Sequence, residues 1–300
     1  MLTTKGQNMP QLFRSIAFGG GGMRGVLHLG GLKALLEFQD SLEFPDGLYG
    51  YSIGAFVATA LAFRLSLSQI QTMMEETMNF DVLLPEIKIK SVLNLTTKCG
   101  LVSMECVEKA LVSAFLKQGV DLRGKVIADA PQKLYIGASN FTKKRPVFFT
   151  GNVPILAALK ASACIPLFFQ PQVVYGNVYL DGGVYMYYFD EYLPRDCLTF
   201  IVGYPEVPIR PKDLEEGNIV ELIKQMYVGA RHPPKSPHAL WFIEDKVHAI
   251  HDVTQDDKDR LMLSGYSQAF TFLTKLVAQE REQVLMGNLL IELSDAIHRF

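Results

Sequence analysis

The chain has 300 residues, of which 49% are hydrophobic and 20% are charged, so its composition is that of a globular protein and not of a disordered one. Its formal net charge of −2 excludes the basic excess typical of nucleic-acid-binding proteins, and we expect no nucleic-acid partner. None of the 4 cysteines forms a CxxC pair, which argues against a zinc site and favours reduced thiols. The sequence identifies no protein partner.

Residues 1–12 form an N-terminal tail without the apolar core of a signal peptide. No apolar run reaches the roughly 18 residues that a membrane-spanning helix needs. From the sequence alone we therefore expect a cytoplasmic protein that is not secreted, has no transmembrane helix and contacts membranes only at their surface.

Two units of strand, turn and helix open the chain. A buried strand is predicted from Phe13 to Phe18, followed by a glycine-rich loop and then by apolar residues at helical spacing over 26–38. A second short strand over 48–51 leads into an apolar helix predicted over 54–63. Each unit carries candidate functional residues in its turn.

Strands and helices continue to alternate along the chain. Residues 66–120 are predicted to be helical with loops, and Ser103 is a candidate cap for a helix that ends near Phe115. Pro154 suits the first turn of a further helix. The remaining strands are predicted at 133–139, 146–150, 178–183 and 198–204. This alternation favours an α/β fold of three layers, α/β/α, with the sheet between helices.

The character of the sequence changes after Pro205. Proline and charge are frequent over 205–218, as in a linker, and Asn218 with Glu221 matches a capping box. A helical stripe follows, formed by Tyr266, Phe270, Leu273, Leu276 and Val277. We therefore divide the chain into the tail (1–12), a sheet domain (13–205) and a helical C-terminal extension (206–300) packed on that domain.

The second turn contains a G-x-S-x-G elbow. A serine between a strand and a helix can stand on a tight, strained turn with its hydroxyl exposed, and the flanking glycines let the backbones approach. The helix N-terminus also favours negative charge that develops nearby. The alternative is an ordinary turn with a capping serine. The elbow consists of Gly50, Tyr51, Ser52, Ile53 and Gly54.

The first turn has two interpretations. As G-x-G-x-x-G it matches a dinucleotide-binding loop, but that function needs an acidic residue at the end of the second strand, where Ser52 stands; Glu43 and Asp46 precede that strand. The competing interpretation is an oxyanion hole, because clustered glycine N–H groups stabilise the negative oxygen of acyl transfer. Arg24 would then hold the loop or a phosphate head group, unless it is a surface charge, and His28 is expected to be a packing residue. The loop consists of Gly20, Gly21, Gly22, Met23, Arg24 and Gly25.

An activated serine also needs a base. Within the predicted segment 178–183, Asp181 follows the strand residues Val178 to Leu180 and precedes Gly182 and Gly183, so its carboxylate can reach across a sheet edge. The alternative is a plain turn aspartate, which is common.

In this order, the three motifs resemble those of the patatin-like phospholipase family, which is marked by a GGGxRG loop, a GxSxG elbow and a DG-G/A segment. Two further stretches are similar to the family. LHLGGL at 27–32 resembles its first helix, and KASACIPLFFQP at 160–171 resembles the segment before its aspartate. The resemblance covers roughly residues 13–204.

The resemblance implies a patatin-like fold and a Ser–Asp dyad without a histidine, in which Ser52 is the nucleophile and Asp181 is the base. Backbone N–H groups around Gly21 and Gly22 would bind the oxyanion. The implied reaction is hydrolysis of fatty-acyl esters, typically of phospholipids at a membrane surface. It would proceed through an acyl-enzyme, without a metal or another cofactor.

Two features depart from the family pattern. Gly19 stands where an aspartate or serine often precedes the triple glycine, and VYMYYFD at 184–190 replaces the Asn-x-Pro that commonly follows the aspartate segment. The second change puts substrate preference in doubt. Its aromatic residues either line an apolar cleft or belong to the core; they are Tyr185, Tyr187, Tyr188 and Phe189.

The sequence leaves other functions open. The same fold could serve as a non-catalytic lipid-binding or scaffold protein. An α/β-hydrolase esterase with a Ser–Asp–His triad would take its base from His232, His238, His248 or His251.

The group of His248, His251 and Asp252 is a weak metal-binding pattern, and a solvated helix face is favoured for it. A stripe of Phe270, Phe272, Leu273 and Leu276 could contact a membrane, although packing against the sheet is favoured.

Overall fold

The computed structural model describes residues 11–77, 89–203, 232–244 and 253–297. The strands are β1 (Ser15–Phe18), β2 (Gly47–Tyr51), β3 (Gly100–Val102), β4 (Leu134–Asn140), β5 (Arg145–Phe149), β6 (Leu167–Phe169), β7 (Gln172–Val174), β8 (Asn177–Leu180), β9 (Leu198–Val202) and β10 (Ala239–Phe242). The α-helices are α1 (Val26–Leu35), α2 (Ile53–Ala62), α3 (Leu67–Thr77), α4 (Ile89–Lys98), α5 (Glu105–Lys117), α6 (Ile155–Ala163) and α7 (Gln255–Ile297).

Eight of the described strands form a central sheet, while β3 and β6 form a separate parallel pair. Strands β10, β9, β1, β2 and β4 are hydrogen bonded in that order and all run parallel, so their carboxyl ends meet at one edge. Strands β5 and β8 pair antiparallel with β4, and β7 pairs antiparallel with β8. The predicted fold of a central sheet with helices is confirmed.

Strands β2 and β8 pair with successive parts of the same edge of β4. Both β2 and β5 pair with Ile136 and Gly137, so they flank β4 on opposite sides. Both β5 and β8 pair with Ser139 and Asn140, so β8 also lies opposite β5, on the side of β2. The carboxyl ends of β2 and β8 therefore point toward each other, with only Ala138 between their last partners on β4.

The two faces of the sheet have separate apolar layers, because successive side chains of a strand point to opposite faces. The larger layer lies under α1, α2 and α7 and includes Ile16, Phe18, Leu48, Phe200 and Phe242. The smaller layer contains Ala17, Tyr51, Met186, Phe189, Cys197 and Ile201. Within it, Met186 and Phe189 come from the segment after Asp181. Of the aromatic residues in that segment, Phe189 therefore belongs to the core, whereas Tyr187 is exposed.

Helix α7 crosses α1 at a point where both helices have a glycine. A side chain on Gly30 would overlap the carbonyl of Met262, and one on Gly265 would overlap the carbonyl of Leu27. The absence of both side chains lets the two backbones touch, which larger residues would prevent. The C-terminal helix is thus fitted closely to the first helix of the chain.

The predicted helical stripe near the C-terminus is confirmed. Leu273 and Leu276 are buried against the protein, and Phe270 lies against the ring of Phe38. This stripe therefore packs on the sheet domain, which is the favoured prediction for an apolar stripe at helical spacing. In the described residues, no helix combines the length and the apolar character needed to cross a bilayer.

Several short elements differ from the prediction. Strands β3, β6, β7 and β10 were not expected, and β10 adds an edge strand to the sheet from the region predicted to be a helical extension. Helix α5 begins at Glu105, whose N–H lies 3.3 Å from Ser103 Oγ, although Met104 occupies the capping position. The linker over 205–218 and the Asn218 cap lie outside the described residues. The division of the chain at residue 205 stays a prediction.

Candidate active site

The elbow places Ser52 directly after β2 and at the N-cap of α2. Its φ of 55° and ψ of −131° lie in a region that non-glycine residues rarely occupy, so the surrounding structure holds the backbone under strain. A side chain on Gly54 would overlap the carbonyl of Phe18, and one on Gly50 would overlap the carbonyl of Gly54. Both glycines are therefore required by the packing of the turn, as the motif predicts.

Ser162 of α6 holds the elbow in place. Its Oγ accepts a hydrogen bond from the Ser52 N–H at 2.8 Å and donates one to the Gly137 carbonyl at 2.6 Å. Ser162 is completely buried. The peptide nitrogen of Ser52 is thus connected to strand β4 through a single hydroxyl.

The glycine-rich loop lies directly against the elbow. A Cβ atom on Gly20 would come within 2.7 Å of Tyr51 Cε2 and 3.1 Å of Ser52 Cβ. Gly22 has a φ of 56°, which suits glycine, and begins a short 3₁₀ helix that leads into α1. The Arg24 N–H donates a hydrogen bond to the Gly21 carbonyl. Within the described residues, the N–H groups of Gly21 and Gly22 donate no hydrogen bond and thus have no acceptor.

Arg24 is a buried structural cation and not a surface charge. Its side chain is fully buried, and Nη1 donates to the carbonyls of Gly203 at 2.8 Å and Glu244 at 3.1 Å. Gly203 directly follows β9, and Glu244 comes two residues after the end of β10. Of the predicted alternatives, Arg24 holds the glycine loop, here against the last two strands of the sheet.

His28 stabilises the same loop through a hydrogen bond to the residue that precedes it. Its Nε2 lies 2.8 Å from the Gly19 carbonyl, and its ring packs edge-on against Phe18 and Phe242. Complete burial lowers the pKa of His28 to about 4, so the imidazole is neutral and Nε2 carries the proton that it donates to the carbonyl. The expectation that His28 is a packing residue is confirmed.

Asp181 directly follows β8 and is 2% exposed. Its Oδ1 accepts a hydrogen bond from the Gly183 N–H at 2.8 Å, and its own N–H donates to the Cys164 carbonyl at 3.1 Å. The pKa of the Cys164 thiol is raised, mainly by burial and to a smaller extent by the negative charge of the nearby Asp181 carboxylate. Asp181 is therefore held by the main chain at its own turn and at the end of α6.

The register of β4 relates Asp181 to Ser52. Tyr51 is opposite Gly137 and Leu180 is opposite Ser139. Ser52 and Asp181 each come one position after the end of their strand, so both reach the level of Ala138 on the same side of β4. In agreement with this, a side chain on Gly182 would overlap Tyr51. The three motifs found in the sequence thus meet at one edge of the sheet.

The described histidines lie away from this junction or are engaged elsewhere. His238 immediately precedes β10, at the amino edge of the parallel strands, and its Nε2 lies 3.3 Å from Glu280 Oε1. His232 stacks on the ring of Tyr188. His248, His251 and Asp252 lie outside the described residues, and in the part of the chain that is described no three metal-binding side chains come together.

Sequence reasoning missed two hydroxyl groups that brace the site. Ser162 is one, and Ser139 is the other: its Oγ donates to the Gly182 carbonyl at 3.1 Å and accepts from the Tyr185 N–H at 3.0 Å. Ser162 lies within the stretch whose resemblance to the family was noted, which was the available signal. No sequence signal pointed to Ser139, because serines near the ends of strands are common.

A family model described as patatin-like phospholipase matches residues 16–188 of the chain. The chain belongs to the patatin-like phospholipase family. The match spans β1 to the segment after Asp181 and so contains the glycine loop, the elbow and the aspartate turn. It leaves β9, β10 and α7 of this patatin-like chain outside the family model.

Two viral proteins are similar to this patatin-like chain. An uncharacterized protein of Acanthamoeba polyphaga mimivirus is 24% identical over 196 residues, which cover 62% of this chain and 65% of that protein. A protein of Invertebrate iridescent virus 6 named "Probable lipid hydrolase" is 28% identical over 194 residues, which cover 59% of this chain and 61% of that protein. The matched region thus spans less than two thirds of either relative.

A solved structure has a similar fold. VipD from Legionella pneumophila superimposes with a TM-score of 0.53 at 15% identity, over 87% of this chain and 67% of VipD. At that identity the likeness concerns the fold alone. It agrees with the patatin-like arrangement of a central sheet and helices described above.

Proposed function

We propose that this protein hydrolyses fatty-acyl ester bonds of lipids, phospholipids at a membrane surface above all, with Ser52 as nucleophile and Asp181 as general base. Membership of the patatin-like phospholipase family supports a lipid substrate, and the viral relative named "Probable lipid hydrolase" points the same way. The observation that carries the proposal is the register of β4, which brings both residues to the level of Ala138 on one side of that strand.

The proposed reaction begins when Asp181 accepts the proton of the Ser52 hydroxyl as Oγ attacks the ester carbonyl. The new C–O bond leaves a negative charge on the former carbonyl oxygen. When this intermediate collapses, the bond to the alcohol breaks and the alcohol leaves with the proton from Asp181. Water then attacks the acyl-enzyme, again losing its proton to Asp181, and the fatty acid leaves as Ser52 recovers a proton.

The glycine loop is the proposed oxyanion hole. A Cβ atom on Gly20 would come within 3.1 Å of Ser52 Cβ, and the N–H groups of Gly21 and Gly22 carry no hydrogen bond within the described residues. The positive ends of two helices, α1 through its 3₁₀ turn and α2 directly, begin at this edge of the sheet. Donors that are fixed before the reaction stabilise a developing oxyanion most effectively.

The scheme needs neither a histidine nor a metal ion, since Ser52 and Asp181 carry out each proton transfer. A triad based on His238 is disfavoured, because the 4 residues of parallel strand β10 separate it from the carboxyl edge by about 13 Å. Single alanine variants of His232, His238, His248 and His251 are expected to keep most of the activity. A triad would instead lose nearly all turnover in one of them.

The decisive experiment compares wild type, Ser52→Ala and Asp181→Asn on a panel of phospholipids, galactolipids and triacylglycerols, with released fatty acids measured by mass spectrometry. We expect Ser52→Ala to abolish release and Asp181→Asn to remove most of it, because the amide cannot accept the proton. Both variants should unfold at the temperature of wild type. Undiminished release by either variant contradicts the dyad.

A fluorophosphonate probe separates catalysis from simple lipid binding. The wild-type protein should become labelled on Ser52, and Ser52→Ala should remain unlabelled. A folded wild-type protein that binds lipid but is never labelled would support the non-catalytic alternative.

A further inference from the structure

Three consecutive cations lie at the connection between β4 and β5, two in the turn and one as the first residue of β5. Lys143, Lys144 and Arg145 are all exposed, and none of them forms an ion pair with another described residue. The formal net charge of the whole chain is −2, so this turn is a positive patch on a slightly acidic protein. Local charge of this kind attracts anionic surfaces.

An exposed apolar row runs beside the cations. The Phe141 N–H donates to the Val178 carbonyl at 2.8 Å, and Val178 is paired with Val173 on the next strand. Phe141 is the first residue after β4 and continues the register of Ser139 with Leu180 and of Asn140 with Tyr179. Residues directly opposite each other in a sheet point to the same face, so Phe141 lines up with Val178 of β8 and Val173 of β7. Phe141 is 52% exposed and Val173 is 69% exposed. Large apolar side chains left in water next to cations indicate a surface that is covered in function.

The patch lies close to the candidate dyad. The turn follows the carboxyl end of β4, and Ser52 directly follows the parallel strand β2 at the same edge. Phe141 comes three positions after Ala138, the level at which Ser52 and Asp181 meet. At the rise of an extended strand this separation is about 10 Å.

We infer that Phe141, Val173, Lys143, Lys144 and Arg145 form a docking surface for an anionic lipid bilayer. Aromatic and aliphatic side chains enter the membrane interface, and lysine and arginine are attracted to acidic head groups. Penetration of the apolar row by about 5–10 Å brings the dyad edge to the membrane surface. The choice of a bilayer as the partner rests on the proposed function, whereas the location of the surface rests on exposure and charge.

Vesicle flotation tests the surface without any catalytic readout. Wild type is compared with a triple variant, Lys143→Gln, Lys144→Gln, Arg145→Gln, and with Phe141→Ser, on phosphatidylcholine vesicles with or without about one third phosphatidylserine. A matched control removes three exposed helical cations elsewhere, by Lys33→Gln, Lys109→Gln and Lys275→Gln. At about fivefold per cation, the triple variant should lose about 100-fold in partitioning to the anionic vesicles. The control should stay within about threefold of wild type.

Three results would overturn the inference. They are a triple variant that binds anionic vesicles like wild type, a control that loses binding equally, and Phe141→Ser that binds unchanged. Selective binding of a single-stranded oligonucleotide, lost in the triple variant while vesicle binding persists, would assign the patch to nucleic acid. Hydrolysis of the monomeric ester p-nitrophenyl butyrate tests the dyad separately. The triple variant should retain it, and if wild type lacks it the proposed function fails while flotation still decides the docking surface.

Discussion

The hydroxyl of Ser162 bridges the backbone N–H of Ser52 and the carbonyl of Gly137, at 2.8 and 2.6 Å. Two residues later, the Cys164 carbonyl accepts the N–H of Asp181 at 3.1 Å. The end of α6 is therefore bonded to both candidate catalytic residues through their main chain. The relative position of the proposed nucleophile and base depends on this short stretch as well as on the sheet.

Replacing Ser162 with alanine should reduce turnover about 100-fold, because the Ser52 N–H loses its acceptor and the elbow can shift by a fraction of an ångström. The effect should appear in kcat and not in KM, since no contact with the substrate is removed. Steady-state kinetics on a monomeric ester measure both values. Ser162→Thr keeps the hydroxyl and should recover part of the rate.

A matched control for that variant is Thr59→Val, which removes another buried hydroxyl, one that donates to the Ala55 carbonyl within α2. It should cost about 1 kcal/mol of stability and leave kcat unchanged. Equal losses of kcat in the two variants would show that Ser162 acts only through stability.

The strained backbone of Ser52 predicts an unusual order of stabilities. Ser52→Gly should be more stable than Ser52→Ala by about 1 kcal/mol, because glycine adopts a φ of 55° without strain. At an ordinary helical position such as the exposed Lys109 the order is the reverse, with glycine about 1 kcal/mol less stable than alanine. Urea unfolding of the four variants measures both differences. An alanine at position 52 as stable as glycine would mean that the elbow is relaxed.

Arg24→Gln should destabilise the protein by about 3 kcal/mol, because a buried guanidinium donates to two carbonyls that the shorter amide cannot both reach. Chemical denaturation measures the loss. Activity per folded molecule should also fall, since the glycine loop is no longer connected to β9 and β10. A variant with wild-type stability and activity would contradict this structural role.

His28 predicts that stability declines in mild acid. Its pKa is lowered to about 4 in the folded protein from an ordinary value of 6.5, so between these values the unfolded chain binds the proton and the folded one does not. Stability from this residue is therefore complete at pH 7 and falls as the pH drops toward 4. At pH 5 the loss is about 2 kcal/mol.

The matched variant is His28→Gln, which retains a donor for the Gly19 carbonyl but does not titrate. The difference in free energy of unfolding between pH 7 and pH 5 should shrink by about 2 kcal/mol relative to wild type. An unchanged difference would assign the acid sensitivity to other groups.

Local motifs made much of the site predictable. The GxSxG elbow and the triple glycine are recognisable in the sequence because their backbone geometry requires glycine. At Gly50 and Gly54 the reason is steric, since a side chain on either residue would overlap neighbouring backbone. Hydrophobic runs likewise predicted β1, β2 and β9, whose side chains are buried throughout or nearly so.

Relations between distant segments were not predictable. Strand β10 is an apolar run of only 4 residues, which is too short to identify a strand from the sequence, and it forms because β9 offers it a free edge. The head-to-head arrangement of β2 and β8 depends on the pairing of β4 with three partners, which no local pattern encodes. For the same reason Ser162 and Arg24 gained their roles only through residues 110 and 179 positions away.

The central place of β1 has a consequence for biosynthesis. One edge of β1 pairs with β2 early in the chain, but the other pairs with β9, and the helix after β1 is covered by α7. A nascent polypeptide leaving the ribosome therefore keeps one edge of β1 unpaired until β9 has emerged, and it keeps the helix after β1 uncovered until α7 has followed. Truncated products should be caught by chaperones or proteases, and a competent nucleophile should arise only in chains translated through most of α7.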